Sequence, residues 1–153
     1  MPTPQEIAYD QTVREDIELF RQQAEAFTAG QLTDDQFRAV RLRRGIYGQR
    51  QPGVHMVRTK VPAGMVTVGQ MHQLASIADD FGGGRAHLTT RQNVQYHFVP
   101  LARVPDLLHK LADVRLTTRE ACYNTVRNVT ACPVAGIAAD EVFDVRPYAR
   151  KVA

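Results

Sequence analysis

No run of this sequence is long and apolar enough to span a bilayer. The first residues, Met1-Pro-Thr-Pro-Gln-Glu6, carry neither the basic nor the apolar stretch of a secretory signal. A cytoplasmic protein with no membrane partner is expected. Cysteine is scarce, with Cys122 and Cys132 alone. In a cytoplasmic chain free thiols are the default, and this separation is unlike the tight pairs that ligate clusters. The five histidines, His55, His72, His87, His97 and His109, show no metal-ligand spacing. Basic residues form no dense block either. The net charge is only +3, most of it from scattered arginines. That argues against nucleic acid as a partner and suits a small anion. No internal repeat or low-complexity tract is present.

What remains is an ordinary globular composition, 44% hydrophobic and 23% charged over 153 residues, enough for one domain or one domain and a fragment. Thr12-Val-Arg-Glu15 has the form of a capping box. It predicts a helix over 12–27 with Ile17, Phe20, Ala24 and Phe27 on one face, ended by Gly30. Thr33-Asp-Asp-Gln36 opens a second helix that stops at Gly45. Residues 1–45 thus read as an N-terminal helical arm. A glycine-punctuated connector over 45–53 leads to a strand over 54–61. Pro62 and Gly64 turn the chain. A helix from Thr67 or Val68 should bury Met71, Leu74, Ala75, Ala78 and Phe81. Gly82-Gly-Gly84 ends it; following a helix, this triplet is not a phosphate loop. Strands over 86–89 and 94–99, a helix over 104–114 with Leu107, Leu108 and Leu111 inward, and an edge strand over 115–118 complete the pattern. The class is α+β. Residues 46–118 read as a ferredoxin-like split βαβ unit, an antiparallel sheet with helices on one face. Residues 119–153 form an irregular C-terminal segment. Pro147 should open a last helix, whose abrupt end reads as truncation.

Two stretches concentrate chemistry. The first runs from Arg85 to Val99, two strands meeting at the polar corner Thr89-Thr-Arg-Gln-Asn93. The second is Val126-Arg-Asn-Val-Thr-Ala-Cys-Pro-Val-Ala-Gly136. Arg91 and Arg127, with Arg119 nearby, make an anion-binding constellation, because guanidinium groups present forks of donors that match oxyanions. Thr90, Gln92 and Asn128 read either as caps of loop amides or as ligand contacts. Arg58, Lys60 and Arg85 read as exposed, or as reaching a ligand's carboxylates. Cys132 is expected as a small buried hydrophobe and Cys122 as an inert thiol. Tyr96 and Phe98 share a strand face, expected to be core. The rival reading of that face is an RNA-stacking platform.

Thr89-Thr-Arg-Gln-Asn-Val-Gln-Tyr-His97 resembles the Thr-Thr-Arg-Gln-x-Val/Ile-Gln motif of assimilatory nitrite and sulfite reductases. Arg127-Asn-Val-Thr-Ala-Cys-Pro-Val-Ala-Gly136 is similar to the Arg-Asn-Val-x-x-Cys-Pro-x-Ala-Gly motif of the same enzymes. The resemblance runs from about Gly45 onward. It implies a first ferredoxin-like half-domain followed by the start of a domain that holds sirohaem and a [4Fe-4S] cluster. It implies the six-electron reduction of nitrite to ammonia or of sulfite to sulfide, with ferredoxin or a flavoprotein reductase as donor. Arg91 then corresponds to the arginine facing the sirohaem iron and its anion, and Arg127 to a second active-site arginine. Arg58, Arg85, Thr90, Gln92 and Asn128 fall around the macrocycle. The family's cluster cysteines and active-site lysines lie beyond residue 153. The remainder of a reductase polypeptide is therefore the expected partner, and turnover by this chain alone is not expected. Two other classes stay open: a stand-alone tetrapyrrole- or anion-binding module without turnover, and an RNA-binding ferredoxin-like domain.

Overall fold

The computed structural model describes residues 3–153, with the side chains of α1 described from Asp10 onward. Helix α1 spans Pro4–Thr28. It therefore begins well before Thr12, which lies inside it. The earlier residues are good helix formers, and a proline in the first turn costs no hydrogen bond. Gly30, at φ +75°, lets the chain leave the helix. Helix α2, Asp34–Arg43, has the expected capping box, with Thr33 and Gln36 satisfying each other's amides. Phe27 stacks on Phe37 at 4.3 Å between ring centroids, and Arg44 pairs with Asp16.

Strand β1, Ile46–Gly48, lies in the stretch read as a connector. It pairs antiparallel with β2, Val54–Arg58. Helix α3, Val68–Phe81, starts at a capping box between Thr67 and Gln70. Strands β3, His87–Leu88, and β4, Val94–Pro100, form the next hairpin, and α4 spans Val104–Ala112. The sheet order is β1-β2-β4-β3, antiparallel throughout. From β2 to α4 this is the expected split βαβ pattern. The edge strand, however, is β1 and not residues 115–118. Ile46, Tyr47 and Gly48 already pair with Val57, Met56 and His55 along the outer edge of β2. Beyond them only a single bridge, Lys60 to Thr117, remains for the later segment.

One core joins the layers. Ile17, Phe20 and Ala24 of α1 and Phe37 of α2 cluster with Val57, Tyr96 and Val99 of the sheet and with α3 and α4. The Tyr96 hydroxyl donates to the Leu74 carbonyl of α3 at 3.0 Å. Phe98 does not share that face. His55 pairs with Val99 and Val57 with Tyr96, so Met56 opposes two residues of β4. The extra residue forms a bulge at Phe98, which takes φ +60° and is exposed, and the inward alternation resumes at Val99. With Tyr96 wholly buried, the two rings make no stacking platform for RNA. Met71 and Ala75 are also exposed, contrary to expectation. The buried stripe of α3 is Leu74, Ile77, Ala78 and Phe81. Lys60, expected at the surface, is buried, and its ammonium reaches the Ala153 carbonyl and Glu120. Residues 119–145 carry no regular element, and α5, Arg146–Val152, opens with Pro147 in its first turn. No helix among the described residues is long and apolar enough to cross a membrane.

Candidate functional site

The two motif stretches are stitched together by two amide side chains. Asn128 is 2% exposed. Its Oδ1 accepts from the Val61 amide at 2.8 Å, and its Nδ2 donates to the carbonyls of Arg91 at 2.7 Å and Gln92 at 3.3 Å. Gln92 grips the next turn of the second motif. Its Nε2 donates to the Ala131 carbonyl at 2.7 Å and its Oε1 accepts from the Ala131 amide at 3.0 Å. Gln92 itself sits at φ +56°. The Ala63 amide adds a third tie to the Val129 carbonyl at 2.8 Å. A buried amide of this kind is stabilising only when all its groups are paired, which fixes the loop conformation. Both residues are thus engaged with backbone, in line with the capping alternative for Gln92 and Asn128.

Arg91 is exposed at the corner. Its Nη2 donates to the Asn128 carbonyl at 3.1 Å, and its amide donates to Thr89 Oγ1 at 3.2 Å. The Arg91 guanidinium is therefore anchored next to Arg127 in the chain, with no carboxylate partner among the described residues. Arg127 is half-buried, and its Nε is buried without a hydrogen-bond partner. Thr90 and Arg85 are exposed. No hydrogen bond or ion pair ties either side chain to the other site residues.

Arg58 lies on the sheet face opposite Tyr96. It sits over the Tyr47 ring, 5.3 Å from its centroid. With the Gln95 amide oriented by its neighbours, the Gln95 oxygen accepts from Arg58 Nε at 2.8 Å and Nη2 at 2.7 Å, and its nitrogen faces His97 Nε2 at 3.3 Å. His97 also lies 5.9 Å, ring to ring, from His87. Burial holds the His97 pKa below its ordinary value, with the His87 and Arg58 charges acting in the same direction. The Cys122 thiol is buried beside Tyr47, Arg58, Arg127 and Arg41. Its burial pushes the pKa up, against the hydrogen bond to Tyr47 and the three positive charges. Cys122 is thus buried with its thiolate disfavoured, the environment an inert thiol requires. Arg58 and Arg127 share this neighbourhood. Gln95 and His97 belong to it too, and Gln95 was missed in the sequence, although strand alternation places it on the face of His97 and away from Tyr96.

Cys132 is exposed rather than buried. It lines an apolar cavity of about 820 Å³ with Met65, Met71, Leu88, Gln92 and Ile137. Gln92's hold on residue 131 leaves the following Cys-Pro step turned outward.

Residues 47–114 match the family model described as the nitrite/sulfite reductase ferredoxin-like half domain. The chain is 40% identical over 101 residues to a ferredoxin–nitrite reductase of Leptolyngbya laminosa, covering 65% of this chain and 20% of that one. It is 37% identical over 89 residues to a ferredoxin-dependent sulfite reductase of Mycobacterium tuberculosis, covering 58% of this chain and 16% of the relative. Among solved structures, the NirA protein of Mycobacterium tuberculosis superposes with a TM-score of 0.76 at 26% identity, over 93% of this chain and 30% of the other. The chain thus spans less than a third of the length of each.

Proposed function

We propose that this chain, whose residues 47–114 match the nitrite/sulfite reductase ferredoxin-like half domain, is the first part of such a reductase. In this reading it supplies anion- and sirohaem-binding arginines to the reduction of nitrite to ammonia or of sulfite to sulfide. The observation that carries the reading is the union of the two arginine motifs through Asn128 and Gln92. It sets Arg91 and Arg127 on adjoining backbone, with Arg127 Nε buried and unpaired.

The donor set fits a macrocycle rich in carboxylates. Arg127 and Arg58 present guanidinium groups on one side of the sheet, and Arg91, Arg85 and Thr90 are open to a ligand along the corner. Each guanidinium–carboxylate contact is charge-assisted and strong for its size. The residues do not fit the cluster. The cysteines are two, one buried and one exposed, and no group of three or more metal-ligating side chains is present among the described residues. Cluster ligands would come from the remainder of the polypeptide.

When bound, sirohaem supplies the iron that takes the substrate and passes electrons to it. The chain's own part is electrostatic. Arg91 and Arg127 bind the small anion, and a fixed positive field stabilises negative charge that builds up as electrons arrive. Asn128 and Gln92 hold the backbone that carries these arginines in place. The electron donor is ferredoxin or a flavoprotein reductase, and the compartment is the cytoplasm. The relatives' names specify ferredoxin.

Anaerobic purification from the native source tests the proposal. We expect sirohaem absorption, a cluster signal, a mass well above 17.1 kDa and reduction of nitrite or sulfite. Arg91→Ala should then lower kcat/KM at least tenfold, about 1.4 kcal/mol of transition-state binding. A cofactor-free 17.1 kDa species, or unchanged rates for Arg91→Ala at limiting substrate, would sink it.

A further inference from the structure

A second cavity, of about 710 Å³, opens between the end of α1, the exposed side of α2, the β1–β2 turn and residues 100–102. Arg38 and Arg41 line it, one helical turn apart on the same face of α2. Among the described residues neither is paired with a carboxylate. Arg38 is exposed, while Arg41 is half-buried and gives one Nη1 bond to the Ile46 carbonyl at 3.1 Å. The Arg41 guanidinium lies against Gly48, where an added Cβ would stand 3.1 Å from Nη2, so the β1–β2 turn leaves room for the charge. His55 lines the same cavity from β2. It is 7% exposed, and its Nδ1 is buried with no partner.

Other charged groups on the cavity wall are Asp34 and Asp35, in the first turn of α2. They complement the start of their own helix. The Arg41 pKa is lowered by burial first and by the Arg38 charge second, with the Asp34 charge acting the other way. Asp34 and Asp35 formally offset the two guanidiniums, yet among the described residues no ion pair joins them to Arg38 or Arg41, and the two arginines lie close enough to disfavour each other beside a buried imidazole with an open hydrogen-bonding atom.

We propose that this cavity is a second anion site, taking a small oxyanion between Arg38 and Arg41 with His55 behind it. Neither Arg91 nor Arg127 lines it, and it does not rest on the reductase reading. A bound anion supplies the carboxylate-like partner that both arginines lack. It also favours protonation of His55, which burial and Arg41 otherwise hold neutral.

The test is histidine side-chain NMR on the full chain, titrated with inorganic phosphate and separately with nitrite, at ionic strength held constant with chloride. A saturable shift of the His55 resonances with phosphate is expected, weakened at least tenfold in Arg38→Gln and in Arg41→Gln and unchanged in Arg127→Gln. An equal response to nitrite makes it a general site for small oxyanions; a response to phosphate alone makes it a site for a tetrahedral oxyanion. Arg38 is exposed and makes no structural bond, so Arg38→Gln gives a folded comparison even where Arg41→Gln does not. No saturable shift with either anion, or a shift that persists unchanged in Arg38→Gln, overturns the proposal. Loss of the shift in Arg127→Gln overturns it as well, since the anion would then be acting from the motif arginines.

Discussion

At the residue scale, Asn128 and Arg91 divide structure from binding. Asn128→Ala removes the partner of the buried Val61 amide and of two carbonyls. Each buried group left unpaired costs about 1–3 kcal/mol. The expected loss is about 3 kcal/mol, read as a lower urea midpoint with an unchanged slope. Arg91→Ala takes away one exposed guanidinium whose only side-chain bond is to a neighbouring carbonyl. It should move that midpoint little, by less than about 1 kcal/mol, while weakening anion binding. A large stability loss for Arg91→Ala would make Arg91 a structural residue. Among the cysteines, the buried Cys122 and the exposed Cys132 should differ in the same plain way: a thiol reagent labels Cys132 on the folded chain and spares Cys122.

At the element scale, the join between α2 and β1 depends on Gly45. It sits at φ +74°, and an added Cβ would lie 2.3 Å from the Thr118 carbonyl and 2.8 Å from that of Arg58. Both neighbours are backbone and cannot turn aside. Gly45→Ala should therefore destabilise by more than about 2 kcal/mol, combining a left-handed penalty of about 1–2 kcal/mol with the clash. The packing of α1 on α4 offers the opposite contrast. Arg21–Asp106, Arg14–Asp113 and His109–Glu18 bridge the two helices at the surface. Exposed pairs of this sort contribute about 0–1 kcal/mol, so Asp106→Ala should be nearly silent. Phe20, also on α1, is wholly buried and stacks on Phe37 of α2, and Phe20→Ala should cost about 3–5 kcal/mol. Thermal unfolding of the two variants compares them directly.

At the scale of the whole molecule, stability should fall on acidification because of His55. Burial, and behind it the Arg41 charge, lower its pKa from 6.5 to about 4. The unfolded chain takes up a proton below about 6.5 that the folded chain refuses until about 4. Unfolding is therefore coupled to proton uptake in that window, and stability drops as pH falls through it. The shift corresponds to about 3 kcal/mol at most. Urea midpoints from pH 7 to pH 4 should show the decline, and His55→Gln should flatten it. An equally steep decline in His55→Gln would place the acid sensitivity elsewhere. Since α1 and α2 share the core of the sheet and its helices, these losses should appear as one transition rather than as a separate melting of the N-terminal helices.

Local chemistry made much of this legible in the sequence. The capping boxes at Thr33, the leucines of α4, the glycine stops and the two strands of the hairpin all rest on contacts within a few residues. The two arginine motifs were also visible there, as was the family they resemble. What the sequence left open depended on contacts between distant segments. Residues 46–48 are too short to declare a strand, and they become one only because β2 offers an edge. Phe98 looks inward by alternation, but one residue of β2 against two of β4 turns it out. Asn128 and Gln92 read from sequence as caps of loop amides before ligand contacts, but which amides they would cap was set only when folding brought the Val61 amide and the residue 131 backbone within reach. Hydrogen-bond partners and edges far apart in the chain are supplied by tertiary structure, and no local pattern encodes them.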